Sequence, residues 1–86
     1  MWVKTNDDNK MLINLDLVDT VYIDVMGSVG RIKAHFPYDD STATLGVYKS
    51  DVSKIIFEQL CLSIEQEEMF FMPEEEEANK KYEQCK

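Results

Sequence analysis

The sequence predicts an α+β fold: an antiparallel β-meander of about five strands with one α-helix packed on one face. Three observations lead to this prediction. Apolar and polar residues alternate with period two in short segments between residues 2 and 48. One longer segment, residues 50–67, carries apolar residues at helical spacing. With 86 residues, 44% of them apolar, the chain is long enough for one core. We therefore expect a single domain over residues 1–73 and an acidic tail over residues 74–86.

The first two strands are expected to form a hairpin. Residues 2–5 are rich in strand-favouring side chains, and residues 6–9 are a cluster of turn formers. Residues 11–15 then alternate between two faces. We expect Trp2 to anchor one face of this hairpin.

The middle of the chain carries the clearest strand signal. Residues 21–26 and 31–36 both alternate, and the glycine-containing residues 27–30 between them predict a four-residue turn. Residues 42–48 give a third strand that pairs back, with Ala34 beside Leu45 and Arg31 beside Tyr48. Symmetric pairing about the first turn puts apolar residues opposite each other: Val25 with Ile32, Ile23 with Ala34, and Val21 with Phe36.

The predicted helix begins near Ser50, which can cap its N-terminus, and has Asp51 in its first turn. Its core-facing arc is expected to contain Val52, Ile56, Phe57, Leu60, Cys61 and Ile64. Residues 69–72 form a short apolar strand that Pro73 ends. Since both of its faces are apolar, this strand is either central in the sheet or paired across a dimer. The tail after it is expected to be a frayed helix or disordered.

Charge excludes some partner classes. The formal net charge is −8, with 17 acidic against 9 basic residues, which argues against direct contact with nucleic acid. Much of the excess lies in residues 65–77, either as a solvated tail or as a surface that mimics nucleic acid. No apolar run approaches a membrane span, and we expect no signal peptide. Two cysteines without a framework pattern indicate reduced thiols, so we expect a cytoplasmic protein.

Nothing in the sequence is assembled for catalysis. His35 is the single histidine, and no serine or cysteine nucleophile shares its predicted face. Neither phosphate-binding loops nor metal-ligand spacings occur. We therefore expect no enzyme activity, no cofactor and no metal site.

Two surfaces are candidate binding sites. The outward face of the meander collects basic and aromatic side chains suited to an anionic small molecule, namely Tyr22, Arg31, Lys33, His35 and Tyr48. The alternative is an ordinary solvated sheet face. The second candidate is a protein-contact surface in which an apolar pair on the helix, away from the core arc, acts with the acidic run: Ile55, Leu62, Glu74, Glu75, Glu76 and Glu77. Alternatively, the tail or the N-terminal hairpin covers that side of the helix.

Several segments resemble small proteins encoded by phages and prophages of Gram-positive bacteria. The resemblance spans most of residues 2–73 and rests on Trp2-Val3-Lys4, Ile13-Asn14-Leu15-Asp16, Leu45-Gly46-Val47-Tyr48 with Ser50, and Phe71-Met72-Pro73. It assigns no site residue. It implies an accessory protein expressed in a bacterial cytoplasm, a group in which inhibitors of host defence are common.

The leading hypothesis is therefore a non-enzymatic accessory protein that inhibits a bacterial host-defence protein by direct contact, and that forms a homodimer or higher homo-oligomer. One alternative is an oligomeric module that sequesters an anionic small molecule such as a signalling nucleotide. A second alternative is a structural or assembly component of the phage particle.

Overall fold

The computed structural model describes residues 1–6 and 11–83, which form six strands, two α-helices and a 3₁₀ turn. In chain order these are β1 (Trp2–Lys4), β2 (Leu12–Asn14), the 3₁₀ turn (Leu15–Leu17), β3 (Thr20–Met26), β4 (Val29–Phe36), β5 (Ser41–Lys49), α1 (Ser50–Glu65), β6 (Phe70–Phe71) and α2 (Glu75–Glu83). The α+β class is confirmed. The prediction of one five-stranded meander with one helix is wrong, because the described strands form two separate three-stranded sheets.

The small sheet has the order β2-β1-β6. The predicted N-terminal hairpin is confirmed, with β1 antiparallel to β2, whereas β6 joins the other side of β1 in parallel. Val3 lies opposite Ile13 and Phe70 and is fully buried. Trp2 points to the other face and is 48% exposed, so it does not anchor the core. Most of the predicted turn cluster, residues 7–9, lies outside the described residues.

The large sheet is the antiparallel meander β3-β4-β5. The turn between β3 and β4 has two residues rather than four, and Gly27 supplies its positive φ of 62°. The register is therefore shifted by two positions from the predicted one, with Ile23 opposite Ile32 and Val25 opposite Gly30. A two-residue shift preserves the face of every side chain, so the predicted inward and outward sets on these two strands are retained.

A β-bulge separates the two halves of the β4–β5 pair. Lys33 pairs with Thr44 and Ile32 with Gly46, which leaves Leu45 as an additional residue on β5. Beyond the bulge the alternation of β5 reverses, and Val47 rather than Tyr48 lies opposite Arg31. Both Leu45 and Tyr48 are consequently buried in the core, at 0% and 1% exposure.

Helix α1 packs mainly across β4 and buries Val52, Ile56 and Leu60. Gly30 permits this close approach, since a Cβ there would come within 2.6 Å of the Ser53 Cβ. The N-cap position is Lys49, which makes no side-chain capping bond, so the predicted capping role of Ser50 is wrong. Helix α1 ends at Glu65, two residues earlier than predicted.

The C-terminal segment differs most from its prediction. Residues 75–83 form α2, which contacts both β5 and α1, instead of a frayed or disordered tail. Ala78 is 2% exposed, and Gln59 Nε2 donates a hydrogen bond to Tyr82 Oη at 2.6 Å. These two side chains, Ala78 and Tyr82, dock a helix that the sequence had indicated to be too polar to pack. Within residues 1–6 and 11–83, neither helix is long and apolar enough to cross a bilayer.

Candidate functional site

The outer face of the large sheet, opposite α1, carries four of the five residues predicted to bind an anion. Tyr22, Arg31, Lys33 and His35 are all half-buried on this face, with Tyr22 directly opposite Lys33. Tyr48 is not there. Its side chain points into the core because of the β5 bulge, and its hydroxyl donates to the Pro73 carbonyl at 2.6 Å. Assigning Tyr48 to an exposed ligand site is therefore wrong.

The environment of Tyr48 fits a structural role. Burial, and secondarily the negative charges of Glu74 and Glu75, raise the pKa of its phenol. The hydroxyl consequently remains a neutral donor to Pro73 and ties the segment between β6 and α2 to β5. Sequence alternation could not reveal this contact, because the bulge changes the face on which Tyr48 lies.

Charges on the outer face are only partly paired. Lys33 Nζ lies 3.4 Å from Asp24 Oδ2, although the residue directly opposite Asp24 is Arg31. The Arg31 side chain makes no hydrogen bond or ion pair within the described part of the chain. This guanidinium is the one feature of the face that fits an anionic ligand. Three cavities elsewhere on the domain are lined by other residues.

His35 is held between two carboxylates. Its Nδ1 lies 2.8 Å from Asp19 Oδ1, and its Nε2 lies 2.8 Å from Asp40 Oδ1. The hydrogen bond with Asp40, followed by that with Asp19, raises the pKa of His35, while His35 lowers the pKa of Asp19. Because both ring nitrogens are engaged, the imidazole has no free nitrogen for a substrate or a nucleophile. The cluster instead joins the segment before β3 to the turn before β5.

The predicted protein-contact residues lie in two separate places. On α1, Leu62 is 57% exposed and Ile55 is half-buried, and both lie on the side of the helix that carries Gln59 and its bond to Tyr82. Helix α2 therefore contacts the side of α1 that carries the predicted apolar pair and leaves Leu62 exposed, in partial agreement with the alternative in which the tail covers that side. Glu74, Glu75, Glu76 and Glu77 are all exposed at the start of α2, while its last turn is the part next to Gln59.

A further surface, which was not predicted from the sequence, lies on the small sheet. We define the small-sheet face as Trp2, Leu12, Met69 and Phe71, which are 48%, 56%, 48% and 61% exposed. Lys4 lies between Leu12 and Phe71 in the register. The apolar faces of residues 69–72 were the signal available in the sequence. Its interpretation required knowing that β6 is a parallel edge strand beside β1.

An apolar groove runs between β3 and α1. We define the β3–α1 groove as the cavity of about 320 Å³ whose apolar lining includes Leu15, Val18, Val21, Phe57, Cys61 and Ile64. Cys61 and Ile64 are exposed here rather than buried, so their predicted core positions are wrong. The cause is the position of α1 over β4, which leaves this flank of the helix beside the uncovered strand. Cys85 lies outside the described residues.

Among the described residues, no three histidine, cysteine or acidic side chains are arranged to hold a metal ion. Comparison with known proteins finds no matching family model, no matching curated protein and no matching solved structure. The candidate sites are therefore defined by geometry alone. They are the small-sheet face, which is apolar and exposed, the β3–α1 groove, which is apolar, and the outer face of the large sheet, which is basic and partly paired.

Proposed function

We propose that this chain is a non-enzymatic accessory protein that acts by direct contact with a bacterial protein. The observation that carries the proposal is the small-sheet face, where four large apolar side chains are each about half exposed. Burying a side chain of this size stabilises a complex by roughly 1.5–3 kcal/mol relative to exposure. Clustered aromatic anchors such as Trp2 and Phe71 are typical of the few residues that dominate binding energy.

The acidic residues near the small-sheet face indicate the chemistry of the partner. Glu74 begins the acidic run three residues after Phe71, and Pro73 accepts a hydrogen bond of 3.0 Å from Asn6 at the end of the β1 segment. The acidic run therefore starts beside the small sheet. A protein with an apolar pocket bordered by lysine or arginine side chains fits this combination, since complementary charge at the rim speeds association and selects partners.

The finer proposal is that the partner belongs to host defence and that the chain acts in a bacterial cytoplasm as its inhibitor. It rests on the resemblance to phage and prophage accessory proteins and on the acidic character of the chain. The clamped state of His35 supports a role without catalysis, because both ring nitrogens already contact carboxylates.

The test compares binding of two variants to a partner recovered from bacterial lysate and then purified. Leu12→Ser combined with Phe71→Ser changes the small-sheet face, whereas Tyr38→Ser changes a still more exposed aromatic residue on the β4–β5 turn. We expect the double variant to bind the purified partner at least about 30-fold more weakly, the loss typical of removing hot-spot anchors. Tyr38→Ser should bind normally.

Equal binding by the double variant and the unchanged chain would reject the small-sheet face as the contact surface. A companion variant, Glu76→Gln with Glu77→Gln, removes two negative charges and keeps side chains of nearly the same shape, so it tests the contribution of charge alone. It should weaken binding at low salt, and the difference should shrink as salt rises. Binding that is independent of both these charges and salt would remove the acidic run from the proposal.

A second candidate function, sequestration of an anionic small molecule, is favoured by one observation. Arg31 carries a guanidinium with no ion pair within the described residues. If this function holds, native mass spectrometry of gently purified protein should detect an added small-molecule mass that Arg31→Ala abolishes. An added mass that Arg31→Ala retains would exclude this residue as the anion contact.

A further inference from the structure

Strand β3 is an uncovered edge of the large sheet. In the order β3-β4-β5 it pairs on one side only, and none of its seven residues is buried. The opposite edge, β5, contacts α2, and its Leu45 carbonyl accepts a hydrogen bond from the Asn6 amide. An exposed strand of this length presents unpaired backbone groups that readily pair with another strand.

The core-facing side chains of β3 are also incompletely covered. Val21 and Ile23 are half-buried and Val25 is 45% exposed, although their neighbours on β4, Ile32 and Ala34, are fully buried. The β3–α1 groove continues this apolar surface onto α1 through Phe57, Cys61 and Ile64. The free edge and the groove together form one continuous surface that is mainly apolar and also includes Asp19 and Thr20.

The other free strand edges of the described structure are less suited to pairing with another strand. Strands β2 and β6 have three and two residues, and Pro73 follows β6 almost immediately. Short edges and nearby proline are features that limit edge pairing. Strand β3 is longer and has no proline, and Asp24 is its single charged residue.

We infer that two copies of this chain pair antiparallel through β3, with the two-fold axis at Ile23, to form a six-stranded sheet. Such an interface is isologous: both copies use the same patch, and each contact between two different residues occurs twice. This register places Ile23 opposite Ile23 and Val21 opposite Val25 on the core face. On the outer face it places Asp24 opposite Tyr22, and so avoids the repulsion of two directly opposed carboxylates.

Alternative registers are less favourable. An axis at Asp24 opposes the two carboxylates, and an axis between Tyr22 and Ile23 opposes outer-face residues to core-face residues. An axis at Val21 or Val25 shortens the paired region at one end of each strand. Ile23 is the middle residue of β3, so an axis there uses all seven residues of both copies.

The distribution of charge permits the pairing despite the net charge of −8. Helix α2, which carries the acidic run, packs against β5 at the far side of the sheet from β3. Five strand spacings, about 24 Å, then separate the two β5 strands of the dimer. That separation exceeds the Debye length of about 8 Å at physiological salt, so repulsion between the acidic helices is screened.

An interface of ordinary size needs only a modest share of the surface of this domain. A stable interface typically removes about 800 Å² per partner, roughly one seventh of the 5517 Å² of accessible surface. Seven paired residues extend over about 20 Å. The two α1 helices would lie over β4 of each copy, three strand spacings or about 14 Å apart, which leaves the groove residues between them.

The first test is the mass of the intact chain in solution, measured by sedimentation velocity over a range of concentrations. We expect twice the 10.0 kDa chain mass. Val25→Lys should return the mass to that of a single chain, because each copy would place an unpaired ammonium in the apolar interface. Leu62→Lys is the matched control, since Leu62 is similarly exposed on α1 but does not line the groove, and this variant should remain dimeric.

Disulfide crosslinking tests the register. In a background of Cys61→Ser and Cys85→Ser, Ile23→Cys brings two thiols together at the axis and should yield a covalent dimer on mild oxidation. Val25→Cys on the same face of β3 should not, because its counterpart lies four residues away along the strand, about 13 Å. A monomeric unchanged chain, or a dimer that persists in Val25→Lys, overturns the proposed interface. Crosslinking through Val25→Cys but not Ile23→Cys overturns the proposed register.

Discussion

The two edges of the large sheet differ in what lies beside them. At β5, the Asn6 amide donates to Leu45, the Tyr48 hydroxyl donates to Pro73, and the Lys49 amide donates to the Asn79 side chain at 3.2 Å. Within the described residues, β3 has no comparable contact on its free side. The cover of β5 comes from segments at both ends of the chain, so one edge of this small domain is closed by long-range contacts while the other stays open.

The largest expected effect comes from removing the side chain that fastens the closed edge. Tyr48→Ala deletes a ring that is 1% exposed together with its bond to Pro73. We expect the free energy of unfolding to fall by about 3–5 kcal/mol, as for other buried aromatic side chains. Urea unfolding followed by circular dichroism measures it. Tyr38→Ala, at a 77% exposed position, should change stability by less than about 0.5 kcal/mol. Similar losses of unfolding free energy in Tyr48→Ala and Tyr38→Ala would contradict the conclusion that Tyr48 fastens the β5 edge.

Ala78→Asp should convert the closed edge into a second open one. It introduces a carboxylate at a position that is 2% exposed between α2 and the domain. We expect α2 to detach, at a cost of about 2 kcal/mol or more, because a buried unpaired polar group is expensive. Amide hydrogen exchange should accelerate in β5, and sedimentation should reveal species larger than the unchanged chain forms. Lys80→Asp, at an exposed position of the same helix, is the control. If the rate of amide hydrogen exchange in β5 does not change, α2 does not protect that edge.

Tyr48→Phe sharpens the comparison by removing a single hydrogen bond. The Pro73 carbonyl retains its bond from Asn6, so no buried acceptor is left without a partner. We expect a loss of about 1 kcal/mol in the free energy of unfolding. Denaturant titration beside Tyr48→Ala gives the difference between ring and hydroxyl. A loss as large as that of Tyr48→Ala would show that the hydroxyl, rather than ring burial, holds this edge.

The smallest expected effect concerns the His35 cluster, which links the starts of both edge strands. Since the pKa of His35 is raised, its contribution to stability is fully present below pH 6.5 and is lost as pH rises through the folded pKa. Since the pKa of Asp19 is lowered, its contribution is present above pH 3.8 and is lost as pH falls through its folded pKa. The cluster is therefore most stabilising between these two values.

Thermal unfolding measured across pH checks this prediction. The melting temperature of the unchanged chain should fall slightly more between pH 6 and pH 9 than that of His35→Gln. Nuclear magnetic resonance of the imidazole should give a pKa above 6.5 that Asp40→Asn lowers. Parallel pH profiles for the chain and His35→Gln would show that the two carboxylates do not hold the charged imidazole.

Local patterns explain what could be predicted of the fold. The alternation in residues 21–26 and 31–36 was sufficient to place β3 and β4, because a half-buried strand carries its period in its own side chains. The helical spacing of Val52, Ile56 and Leu60 likewise located α1 and its buried side. The predicted positions of Cys61 and Ile64 failed because helical periodicity defines an arc but not how far the sheet extends beneath it.

The candidate surfaces were predicted less completely. Tyr22, Arg31, Lys33 and His35 were assigned to the correct face, since alternation survives a two-residue shift. Tyr48 was not, since a single additional residue at Leu45 reverses every later side chain of β5. The small-sheet face was missed because it combines residues 2, 12, 69 and 71, which only the pairing of β6 with β1 brings together.

By itself, the sequence determined the α+β class, the three strands of the meander, the main helix and the acidic character of the chain. Those properties depend on composition and on short-range periodicity. Tertiary structure alone decided the division into two sheets, the docking of α2, the β5 bulge, and which strand edge remained open. Each of these depends on contacts between distant residues, such as Tyr48 with Pro73 and Gln59 with Tyr82. Local side-chain patterns do not encode such contacts, because several pairings satisfy the same alternation and only the packed chain selects one.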